Sequence, residues 1–132
     1  MAAAVLALAG CGGTSGPSDQ SQIETSLTTY YKAFAQGDTA GACGQLAKDT
    51  LAALEKAAHG KGCSAVLGAA LKRPDYAAIA PKLARARVTK VTIAGDKATA
   101  AVVVPGVHAA LPPVPMLKEG GSWKIASAPG SQ

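Results

Sequence analysis

Asparagine is absent from this chain of 132 residues, and aromatic residues are scarce: Phe34, Trp123, Tyr30, Tyr31 and Tyr76 are all there are. The missing asparagine, beside abundant alanine and glycine, marks GC-rich coding and says nothing about fold. The shortage of rings says more. Alanine supplies nearly half of the 48% hydrophobic content, and alanine buries little area. A core built from it is thin, which gives a covalent cross-link a physical purpose. Nucleic-acid binding wants cations interleaved with stacking rings. Only Tyr76 lies in the basic stretch, so no nucleic-acid partner is expected. No apolar run is long enough to span a bilayer, and no Gly-x-Ser-x-Gly of a serine hydrolase occurs.

The net charge of +5 is concentrated between Lys72 and Lys97, where seven cations stand against Asp75 and Asp96. This reads first as a solvated basic face. Attraction of Arg85, Arg87 and Lys90 to an anionic envelope polymer, or to a protein partner, is the sharper alternative.

Residues 1–10 read as a lipoprotein signal peptide, with Leu8-Ala9-Gly10-Cys11 in the form of a bacterial lipobox. Small residues ahead of the cysteine suit a signal peptidase, and the Cys11 thiol is the nucleophile that takes up diacylglycerol. A complete signal also carries a positive start and a longer apolar stretch. No Lys or Arg precedes Cys11, so the true start is expected upstream of Met1. Residues 11–21 then form the acylated cysteine and a polar tether, reaching roughly 15–20 Å by chain statistics. The expected location is the extracytoplasmic face of the cell membrane, anchored by lipid.

The domain proper is expected over residues 22–127, with 128–132 a loose tail. Ser21 and Glu24 fit a capping box. From there Ile23, Leu27, Tyr30, Tyr31 and Phe34 make one helical stripe, expected to be the main packing element. Gly37 suits the C′ position and Asp38 the next N-cap. Short helices follow over Thr39–Leu46, Lys48–Ala58 and Ser64–Lys72. Tyr76–Leu83, bounded by Pro74 and carrying Pro81, reads as a turn of helix or a loop. With Cys11 taken by lipid, Cys43 and Cys63 are the remaining thiols, and an exported setting favours a disulfide between them. His59 and Cys63 lack the further ligands of a closed zinc site, so no metal or cofactor is expected.

Strand texture begins at Arg85–Ala94, turns at Gly95-Asp96, and returns over Lys97–Val104 as a hairpin. Val107–Leu111 is a candidate short strand before Pro112 and Pro113. Val114–Lys118 and Ser122–Ser127 complete a meander around Gly120-Gly121. Alanine blurs the alternation, so the inward face of each strand stays open. Helices followed by an antiparallel meander give an α+β fold, N-terminal helices packed on a curved sheet.

The run Tyr30-Tyr31-Lys32-Ala33-Phe34-Ala35-Gln36-Gly37-Asp38, the hairpin Gly95-Asp96-Lys97-Ala98-Thr99-Ala100 and the strand Gly121-Ser122-Trp123-Lys124-Ile125 together resemble exported actinobacterial members of the NTF2-like (cystatin-like cone) superfamily. The resemblance implies a cone between helices and sheet. It also implies either a non-enzymatic binding domain or an isomerase, dehydratase or hydrolase with a Tyr, Asp or His in the cone. Tyr30, Tyr31, Asp38, Asp75 and His108 are the acid–base candidates, and no pair has a spacing that implies cooperation. Asp38 reads as a cap. No catalytic residue is assigned. The expected ligand-binding residues are Tyr30, Tyr31 and His108, for a small apolar ligand or an envelope partner.

Overall fold

A computed structural model describes residues 18–108 and 111–127. The lipobox with Cys11 and the C-terminal tail lie outside those residues. Five helices come first: α1 (Asp19–Ala35), α2 (Thr39–Cys43), α3 (Lys48–Ala57), α4 (Cys63–Leu71) and α5 (Pro74–Leu83). Four strands follow: β1 (Arg87–Ala94), β2 (Lys97–Val103), β3 (Val114–Glu119) and β4 (Ser122–Ile125). They form one antiparallel sheet in the order β1-β2-β3-β4, open rather than closed. This is the expected α+β arrangement.

The α1 stripe is buried along its whole length, Ile23 and Leu27 completely and Tyr30, Tyr31 and Phe34 nearly so. The helix starts earlier than the Ser21 capping box implies. Ser18 is the N-cap, and its side chain accepts from the Ser21 N–H, so α1 begins within the stretch expected as a tether. Asp19 decides this. Its carboxylate accepts from the Lys118 Nζ and the Trp123 Nε1, both at 3.0 Å, pinning the start of α1 to the last hairpin.

At the other end Gly37, at φ +76°, takes the left-handed conformation that spares a Cβ its clash. The Asp38 N–H then reaches the Ala33 carbonyl and the Gly37 N–H the Phe34 carbonyl, a Schellman closure that satisfies two free carbonyls. Asp38 caps α2 by accepting from the Gly41 N–H at 2.9 Å. Cys43 and Cys63 are bonded, their Cα atoms 6.0 Å apart, tying α2 to the first residue of α4.

Two elements differ from expectation. Residues 74–83 form a full helix rather than a proline-bounded turn. Pro74 occupies the first turn, where a missing N–H costs nothing. Pro81 sits near the far end on the exposed side, while Ala80 and Leu83 are buried. The candidate strand over Val107–Leu111 is not formed among its described residues, 107, 108 and 111. The chain bends there at Gly106, φ +84°, and Pro112 and Pro113 have no N–H to give a ladder.

The register settles which faces are inward. Val88, Val91 and Ile93 pair with Val102, Ala100 and Ala98, and these continue to Val114 and Met116. Met116 and Lys118 pair with Ile125 and Trp123. The buried residues of this inward face, with the α1 stripe, make the core, while Ile93 and Lys118 at the end of the sheet stay partly exposed. A bulge between Val88 and Lys90 shifts the register of β1. Beyond β4 the segment around Leu46 adds a parallel bridge to Ile125, so that edge is covered. The buried Ser26 hydroxyl lies 3.1 Å from both the Trp123 carbonyl and the Gln45 side-chain oxygen.

Candidate functional site

Four of the chain's five aromatic residues gather where α5 crosses the C-terminal half of α1. Helical spacing puts Tyr30, Tyr31 and Phe34 on one side of α1, and Tyr76, Ile79 and Leu83 on the facing side of α5. The three rings on α1 and Tyr76 pack in sequence. Tyr30 meets Tyr31 edge-on at 5.4 Å between centroids, stacks parallel to Phe34 at 6.1 Å, and Phe34 meets Tyr76 edge-on at 6.1 Å. Such pairs are worth roughly 0.5–1.5 kcal/mol each beyond their area. Between them lies a cavity of about 270 Å³ bordered by these side chains, with Leu111 and Asp75 at its margin. That volume falls just below the usual range for ligand pockets, roughly 300–1,000 Å³.

The polar groups of this cavity are few. Tyr30 and Tyr31 are 2% and 5% exposed, and neither hydroxyl has a hydrogen-bond partner among the described residues. No side-chain polar atom there is both sealed from solvent and unpaired, so these two oxygens open onto the space they border. Burial pushes the Tyr31 phenol up to about 12. Tyr30 is raised further, first by burial and then by repulsion from Tyr31 and Tyr76. Both are therefore neutral at any physiological pH, and each offers an O–H donor with no acceptor among the described residues. Asp75 accepts from Arg73 at 2.9 Å, both side chains 61% exposed, and the Arg73 guanidinium also sits 5.2 Å over the Tyr76 ring.

Tyr30 and Tyr31 both border this cavity. His108 is exposed and does not border the cavity. Asp38 is the α2 cap. Cys43 and Cys63 are bridged. Among the described residues no cluster of His, Cys, Asp and Glu is placed to hold a metal ion. His59 is exposed just past α3, at φ +55°.

Comparison with protein-family models, curated proteins and solved structures gave no match. The site has to be read from its own chemistry.

Reading the sequence for single acid–base residues missed Phe34, Tyr76, Ile79 and Leu83 as part of one site. A signal was present: Tyr76, Ile79 and Leu83 recur at i, i+3 and i+7, a helical face. Pro74 ahead of this run and Pro81 within it concealed it.

Two other depressions are more polar or more open. One, of about 360 Å³, lies between α3 and Ala126 and is bordered by Asp49, Thr50 and Leu54. The other, of about 490 Å³, runs along the sheet past Thr92, Lys97, Thr99 and Leu117.

Proposed function

We propose that this chain is a bacterial lipoprotein of NTF2-like type, anchored through Cys11 at the extracytoplasmic face of the membrane. Its domain is a non-enzymatic binding module for a small, largely apolar ligand that carries an acceptor oxygen. The observation that carries this reading is a mostly apolar cavity bordered by two buried tyrosines whose hydroxyls have no hydrogen-bond partner among the described residues. A ligand without an acceptor leaves both donors unpaired, whereas a carbonyl or carboxylate oxygen satisfies them. The binding reading is preferred over catalysis because the one carboxylate at the margin, Asp75, is engaged by Arg73, and the phenols are too weakly acidic to serve as bases near neutrality.

Two probes of matched shape test it. 2-Acetylnaphthalene presents a carbonyl and 2-ethylnaphthalene does not. The first binds more tightly, by about two- to ten-fold for each hydrogen bond made. In Tyr30→Phe/Tyr31→Phe, which keeps ring packing and removes both donors, the preference vanishes. Equal affinity of the two probes for the unsubstituted protein refutes the acceptor requirement.

A further inference from the structure

We propose that the outward face of the sheet, which none of the five helices covers, docks on an anionic lipid bilayer. Residues paired across an antiparallel ladder share a face. Because Val102, Ala100 and Ala98 point inward and are buried, their neighbours point outward. The outward rows are Arg87 with Val103, Lys90 with Ala101, Thr92 with Thr99 and Pro115, and Ala94 with Lys97, Leu117 and Lys124. The face therefore carries Arg87, Lys90, Lys97 and Lys124.

Arg87, Lys90 and Lys97 are exposed, and none is in an ion pair or hydrogen bond among the described residues. Lys124 is half-buried and donates to the Gly44 carbonyl. The counter-charge is small. The Glu119 carboxylate faces the Lys48 backbone N–H at 3.3 Å, and Asp96 stands in the turn beside Lys97. Val103, 47% exposed, is one of the two exposed large apolar side chains among the described residues and sits beside Arg87. An apolar side chain among cations suits the boundary between headgroups and acyl chains. No aromatic ring points outward, since Trp123 is turned into the core, so nucleic-acid bases have nothing to stack on.

Chain geometry favours the bilayer over a soluble polyanion. Asp19 is bonded to Lys118 and Trp123, and the Lys118 N–H bonds the Asp96 carbonyl in the β1–β2 turn. The tether therefore joins the domain at the end of the sheet where Lys97 lies. From Lys97 to Val103, beside the strand that carries Arg87 and Lys90, the face runs for about 20 Å at roughly 3.3 Å per residue. The residues from Cys11 to Ser18 reach at most about 25 Å when extended. The sheet and its outward side chains are thinner than that, so an anchor at Cys11 permits the face to lie on the membrane. This step leans on the anchor reading, and the test below does not.

The test uses the whole chain with Cys11→Ser, free of lipid, and vesicles of equal phosphatidylglycerol and phosphatidylcholine against phosphatidylcholine alone. Binding to the anionic vesicles is expected, falling steeply as salt shortens the Debye length from about 10 Å at 0.1 M to about 3 Å at 1 M. Each cation near such a surface contributes about five-fold in partitioning, so Arg87→Gln/Lys90→Gln/Lys97→Gln loses about a hundred-fold. Lys56→Gln/Lys61→Gln/Lys72→Gln removes the same charge from exposed positions on the helical side, and changes binding by no more than about three-fold if only the sheet face touches lipid. Should the first triple variant fail to fold, Lys90→Gln alone carries the test at about five-fold. Equal losses from the two triple variants overturn the proposal. So does indifference to phosphatidylglycerol, and so does binding to soluble polyglutamate without binding to vesicles.

Discussion

Removing the Cys43–Cys63 bond perturbs the helical layer in a way the structure makes quantitative. The bond closes a sequence separation of 20 residues. On the chain-entropy account, a loop of that size restrains the unfolded chain by about 3 kcal/mol at 25 °C. The native side of the balance is exposed to the loss as well. Helix α2 is a single short turn of residues 39–43, too brief to persist without an external tie, and α4 begins at the bonded Cys63. Helix α5, which borders the tyrosine cavity, follows α4 directly. The measurement is urea unfolding of the Cys11→Ser chain, intact and as Cys43→Ser/Cys63→Ser. Stability should fall by about 2–4 kcal/mol, and the slope with urea should rise because the unbridged chain exposes more surface. A loss below about 1 kcal/mol with an unchanged slope refutes the reasoning, because it means that the unfolded chain is already held compact by other means.

The remaining predictions are shorter. Hydrogen bonds from Trp123, then Lys118, hold the Asp19 carboxyl below its ordinary range, so its contribution to stability is complete above the unfolded value near 3.8 and is lost as pH falls through the lower folded one. Asp19→Asn should therefore lower the melting temperature at pH 7 and make little difference near pH 2. A deficit equal at both pH values argues against the ion pair. With Tyr31 raised to about 12 and Tyr30 above it, these phenols stay protonated in the fold while they ionise on unfolding. Stability should consequently fall as pH rises above about 10, with their 295 nm absorbance appearing together with unfolding. Ionisation of all three tyrosines near pH 10 in the folded protein contradicts the buried site. Cys11→Ser expressed from the complete reading frame should lose incorporation of labelled fatty acid and leave the membrane fraction. Equal labelling of that variant removes the anchor from the account.

Legibility followed side-chain size. Ile23, Leu27, Tyr30, Tyr31 and Phe34 are large and fall at helical spacing, so α1 and its buried face could be read directly, as could the turns at Gly37 and Gly95 and the bridge between the two thiols. The N-terminus of α1 could not, because Ser18 and Ser21 are equally good caps. A bond from Asp19 to side chains about a hundred positions away decides between them, and no local pattern carries that information. Strand faces were hidden where alanine stands both inward, at Ala98 and Ala100, and outward, at Ala94 and Ala101. The bulge between Val88 and Lys90 then breaks whatever alternation β1 retains. The basic stretch was visible as composition, but that Arg87, Lys90 and Lys97 share one uncovered face depends on register. Half the candidate site was legible as Tyr30 and Tyr31. The other half needed α5 to be a helix, and Pro74 and Pro81 argued locally against it.

Filling the cavity tests the central claim most directly. Ile79, half-buried on α5, borders the space beside Tyr30 and Phe34, and Ile79→Trp places an indole within it. Calorimetric titration with 2-acetylnaphthalene is run on the unsubstituted chain and on this variant, each first shown to be folded by circular dichroism and by its melting temperature. The account predicts one binding site in the former and none in the folded variant. Undiminished binding by a folded Ile79→Trp protein contradicts the account.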